Sequence, residues 1–130
     1  MEKYLDGGIA DSIPVFKCKE MGYDKVIVVL TRPLEYRKKP YHEALIKLMS
    51  LRYKKYPKFI ECLKNCYKMY NEVVEKIIEM EKSKEIFVIR PSESINVKVI
   101  ERNKNNLQSV YDLGVRNCKS IMKELKNYLL

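Results

Sequence analysis

The chain has 130 residues, enough for one domain with a real core over residues 1–130 and too few for two of ordinary size. A hydrophobic fraction of 46% excludes long disorder, and VIVVL, the longest uncharged apolar run, is far too short to span a bilayer. The net charge of +9, from 26 Lys and Arg against 17 Asp and Glu, favours anionic partners, nucleic acid or an acidic lipid surface, without choosing between them.

The first residues are polar and charged and lack the pattern of a signal peptide, so the cytoplasm is the expected compartment, with peripheral contact at a membrane surface allowed by the charge. Tyr4 and Leu5 read as the end of a short strand. Ser12, Ile13 and Pro14 read as an N-cap, its neighbour and a first-turn proline. Asp6 therefore falls on a strand-to-helix turn. Gly7 and Gly8 carry no Cβ, so a ligand or another backbone can approach the Asp6 carboxylate. A bare Asp-Gly-Gly has a second and commoner reading, an Asx-turn in which Asp6 bonds the backbone two residues on.

SIPVFKCKEMG is expected to form a helix of about three turns, stopped by Gly22. KVIVVL follows, a β-branched run without alternation, as a strand buried on both faces requires. Pro33 closes it, LEYRKKP forms a basic loop, and YHEALIKLMSLRY reads as a helix. A long helix starts near Pro57, with Ile60, Leu63, Tyr67, Tyr70, Val74 and Ile77 as a core stripe running to EMEKSK. EIFVIRP repeats the apolar run ended by Arg-Pro, which suggests two neighbouring parallel strands in one sheet. INVKVIE alternates and suits a short edge strand or an extended connection. Leu107, Val110, Tyr111, Gly114, Cys118, Ile121, Leu125 and Tyr128 mark a C-terminal helix, with Gly114 as a place for close backbone approach. The class is α/β.

Cys18, Cys62, Cys66 and Cys118 have neither paired C-x-x-C spacing nor matching histidines, so they are expected to be reduced, mostly buried thiols, with no metal and no cofactor. His42 reads as a surface or helix-start residue, and Arg32 and Arg90 as strand-end caps or substrate ligands. The basic residues look dispersed, with local clusters at YRKKP and RYKKYPK. Tyrosines interleave them, but no RNP, KH, zinc-finger or helix-turn-helix signature accompanies them, and nucleic acid is not the expected partner.

Taken in order, YLDGGIADSIPV, GYDKVIVVLTRP, YRKKP, FVIRP and YDLG resemble the C-terminal part of bacterial patatin-like phospholipases over essentially the whole chain. The resemblance implies a three-layer α/β fold with a mainly parallel sheet, of which this chain would be the C-terminal portion only. It also implies a Ser-Asp dyad hydrolysing lipid carboxylic esters, with Asp6 as the base and Gly7 and Gly8 as the motif glycines beside it. The sequence departs from that pattern, because G-x-S-x-G does not occur and the nucleophile is missing. The expectation is thus a hydrolase fragment, inactive alone, that would act on phospholipid or another lipid ester and self-associate through uncovered sheet edges. The alternatives are a non-catalytic basic module binding acidic lipid or nucleic acid, and a pseudoenzyme remnant.

Overall fold

A computed structural model describes residues 6–95, 97 and 100–130. Among these, helix accounts for 58%, and the chain divides into two compact units. One takes the described part of Met1–Lys17 together with Arg37–Glu79; the other takes Cys18–Tyr36 and Met80–Leu130. The elements in order are a 3-10 turn Gly7–Ile9, α1 (Val15–Glu20), β1 (Ile27–Val29), α2 (Glu43–Arg52), α3 (Pro57–Lys82), β2 (Phe87–Ile89) and α4 (Lys104–Leu129).

In the first unit the core lies along α3, where Ile60, Cys66, Val74 and Ile77 are buried, and Ile77 has no exposed surface. Pro57 takes the first helical position, where its missing N–H costs nothing. Two side chains one turn apart on α3 hold the basic loop. Asn71 accepts from the Lys38 N–H (2.8 Å) and donates to the Lys38 carbonyl (3.1 Å), satisfying both backbone groups of one residue. Glu75 takes the Arg37 guanidinium through Nε (2.9 Å) and Nη2 (2.6 Å). Residues 53–56 turn the chain from α2 to α3, and the Tyr53 and Phe59 rings meet edge-on across that turn at 5.2 Å.

The second unit is built on a parallel pair, with Ile27 beside Phe87, Val28 beside Val88 and Val29 beside Ile89. A two-stranded sheet is marginal by itself. Here α4 supports it through Tyr128, whose hydroxyl accepts from the Val26 N–H (3.1 Å) and lies within donating distance of the Val26 (3.3 Å) and Glu85 (3.2 Å) carbonyls. The Tyr128 ring rests 5.6 Å from that of Phe87. The Glu85 carboxylate accepts from Ser83 Oγ (2.9 Å) and Lys19 Nζ (3.3 Å), and these bonds, the serine's first, hold it below the usual carboxylate range. α3 ends in a Schellman arrangement: the Glu85 N–H donates to Met80 O and the Lys84 N–H to Glu81 O, with Lys84 at φ 62° where glycine is usual.

Several expectations need correction. The three-layer α/β fold with a mainly parallel sheet is not found: among the described residues the sheet is two strands of three residues in a mainly helical chain. The parallel neighbours are there, but Arg-Pro and Thr-Arg-Pro end each run after three paired residues, and the two 26-residue helices claim much of the remaining chain. β1 is not buried on both faces either, since Val28 points inward while Ile27 and Val29 are exposed, Val29 at 69%. The first helix is six residues, because Ser12 donates to the Gly8 carbonyl (2.6 Å) and closes the preceding turn instead of capping α1. Gly22 does take a positive φ of 82° behind α1. At Gly114 a Cβ would meet nothing within 4 Å, so among the described residues no backbone of another element approaches there. The strand end at Tyr4 and Leu5 lies outside the described residues, as does part of INVKVIE.

Two substitutions test this packing by urea denaturation. Tyr128→Phe should cost about 1–2 kcal/mol, because the buried Val26 N–H loses its acceptor. Lys84→Gly should add about 1 kcal/mol by relieving the left-handed conformation.

Candidate functional site

Asp6 is exposed and caps the 3-10 turn, its Oδ1 accepting from the Gly8 N–H at 2.8 Å. This is the Asx-turn geometry, and a Cβ at Gly8 would stand 3.2 Å from Oδ1, a tight contact with the capping side chain. Around Gly7 the space is open. The hydroxyl of this turn, Ser12, is engaged with the Gly8 carbonyl. His42 stands exposed at the N-cap of α2 and makes no side-chain capping bond. Arg90 pairs with Glu81, tying the end of β2 to the end of α3, and the Arg32 guanidinium lies 4.9 Å from the Tyr36 ring centre. All four cysteines are free thiols, but only Cys66 is buried and the other three are half-buried, so the expectation of mostly buried thiols is corrected; among the described residues no three His, Cys, Asp or Glu side chains group as metal ligands.

The feature that reading by motif missed is the distribution of charge. Residues 37–68 hold ten of the 26 Lys and Arg but only two of the 17 Asp and Glu, a net +8, which leaves +1 for the other residues. A running charge count along the chain would have found it. Arg37 is held by Glu75, and Lys38 lies 5.8 Å from the centre of the Tyr70 ring. Lys39, Lys47, Arg52, Lys54, Lys55, Lys58 and Lys64 are exposed and form no ion pair among the described residues.

α2 lies inside this field and buries no residue. At about 100° per residue its half-buried side, Ile46, Met49 and Ser50, is opposite an outer arc of about 60° made by Leu51, Ala44 and Leu48. That arc is apolar and open, with Leu48 60% and Leu51 76% exposed. Lys47 and Arg52 stand about 40° beyond its two edges. A groove of about 710 Å³ runs beside it, with walls from Ile46, Leu51 and Tyr67 and with Lys47 and Lys64 on its lining.

Fold and surface together define a mainly helical chain with one strongly basic segment that also exposes apolar side chains. Residues 56–130, more than half of the chain, match the family described as a domain of unknown function (DUF6363), and the chain belongs to that family. The match takes in α3, β2 and α4; most of the basic segment precedes it. Neither a curated protein nor a solved structure matches the chain. No patatin-family match is found, so the resemblance to patatin-like phospholipases is corrected to membership of the family of unknown function. The dyad role of Asp6 was implied by that resemblance, and among the described residues the hydrogen bond its carboxylate makes is the one to its own turn.

Because the bond needs only an acceptor oxygen, Asp6→Asn should leave stability within a few tenths of a kcal/mol while Asp6→Ala costs about 1 kcal/mol. Urea denaturation of the two variants side by side checks this.

Proposed function

We propose that the protein is a non-catalytic module that attaches peripherally to an anionic lipid surface through the outer face of α2 and the cations around it. The single observation carrying the reading is that Leu48 and Leu51 stand open to solvent between Lys47 and Arg52 in a segment of net charge +8. Leucines exposed among lysines suit the boundary between headgroups and acyl chains, where both find their preferred surroundings. A nucleic-acid backbone would match the charge but gives such leucines nothing to bury against. Among the described residues no helix is long and apolar enough to cross a membrane, so α2 is read as lying on the surface.

Magnitudes support a reversible contact. Each cation near an anionic surface contributes about 1 kcal/mol, and each leucine that leaves water about 1.5–3 kcal/mol if fully buried. Lys47, Arg52, Lys54, Lys55 and Lys58 with two partly inserted leucines therefore supply on the order of 5–8 kcal/mol, an apparent dissociation constant between roughly 200 and 1 μM.

Co-sedimentation with vesicles tests the reading. The protein should bind phosphatidylserine-containing vesicles and not pure phosphatidylcholine, with binding weakened but not abolished by high salt. Leu48→Glu with Leu51→Glu should lower the affinity at least tenfold without loss of fold, since both side chains are exposed. Equal binding to neutral vesicles, an unaffected double variant, or retention on DNA without any binding to vesicles would overturn it.

A further inference from the structure

We propose that the groove beside α2 is a binding site for one long-chain carboxylate, a free fatty acid whose tail lies between α2 and α3 while its head meets Lys47 and Lys64. The proposal rests on the surface reading above and gives it a specific lipid ligand. Three observations carry it. The groove's volume of about 710 Å³ falls within the roughly 300–1,000 Å³ of small-ligand sites, and Ile46, Leu51 and Tyr67 give it apolar walls. The charged residues on its lining are Lys47, Lys64 and Glu43, a net +1 that complements a monoanion. Both lysines are exposed, so their stems can cover the apolar wall while the ammonium groups stay at the wet side.

The third observation is continuity with the surface patch. Lys47 and Leu51 belong both to the groove lining and to the outer side of α2, so the groove adjoins the patch where the leucines would meet the bilayer. A tail leaving the membrane there would pass from one apolar environment to another, and a carboxylate would move from the interface to two ammonium groups. Leu48 is not part of the groove lining. The surface contact and the groove can therefore be altered separately.

Titration calorimetry with dodecanoate below its micellar concentration tests the proposal. One saturable site per chain is expected, with dodecyltrimethylammonium, which has the same tail and the opposite charge, binding at least tenfold more weakly. Ser50→Phe should fill the groove and lower dodecanoate affinity at least tenfold, and Lys64→Glu, at an exposed position, should lower it about tenfold whether or not the larger side chain at 50 disturbs folding. Leu48→Glu should weaken vesicle binding and leave dodecanoate binding unchanged. Lack of saturable binding, equal binding of the cationic analogue, or native affinity in Lys64→Glu would overturn the groove site. Retained vesicle binding in that event would leave the surface reading standing, whereas loss of vesicle binding alone in the native chain would remove the surface reading and keep the groove.

Discussion

A helix that is apolar on both sides can be covered by its own chain on only one of them. That constraint governs α2, where Ala44, Leu45, Ile46, Leu48, Met49 and Leu51 leave only Glu43, Lys47, Ser50 and Arg52 polar. Ile46 and Met49 are half-buried, and the outer leucines remain in water. Exposing single apolar residues is ordinary, but two leucines in one arc, flanked by cations that form no ion pair among the described residues, are a surface that gains free energy when something apolar and anionic covers it.

Since no residue of α2 is fully buried, its position depends strongly on its ends. The His42 carbonyl accepts from the Leu45 and Ile46 N–H groups at the start, and the Tyr53 N–H donates to Met49 at the finish. Beyond each end the chain is fastened again. Asn71 and Glu75 grip Lys38 and Arg37 ahead of it, and the Tyr53–Phe59 ring contact closes the turn behind it. Five of the cations that form no ion pair among the described residues lie within α2 or in the few residues after it, so the elements that hold the helix also gather the charge around its apolar arc.

Much of the local structure was legible because it follows from patterns that the backbone enforces. The stripe from Ile60 to Ile77 needs one helix to bury itself, and the two runs ended by Arg-Pro suggest the parallel neighbours that are found. What the patterns did not carry was extent. Three paired residues in each run make a strand pair, and nothing in VIVVL or FVI says how many further strands lie beside it. α2 resisted for a different reason: apolar residues on both sides cancel the periodicity that would show which side faces water. Asp-Gly-Gly carried two meanings, and the 2.8 Å bond from Gly8 realises the local one. The resemblance to a lipase family was assembled from short segments of strand-end and turn chemistry, which unrelated chains reach for the same backbone reasons.

Hydrogen–deuterium exchange on the intact chain, with and without phosphatidylserine vesicles, reads the contact face directly. Amides of Glu43–Arg52 and of the turn following it should exchange more slowly when anionic vesicles are present and be unchanged with neutral ones, while those of Lys104–Leu129 stay the same in both. Slowing confined to Lys104–Leu129, or none at Glu43–Arg52 under conditions where the protein sediments with the vesicles, would contradict the assignment of that helix as the membrane-facing element.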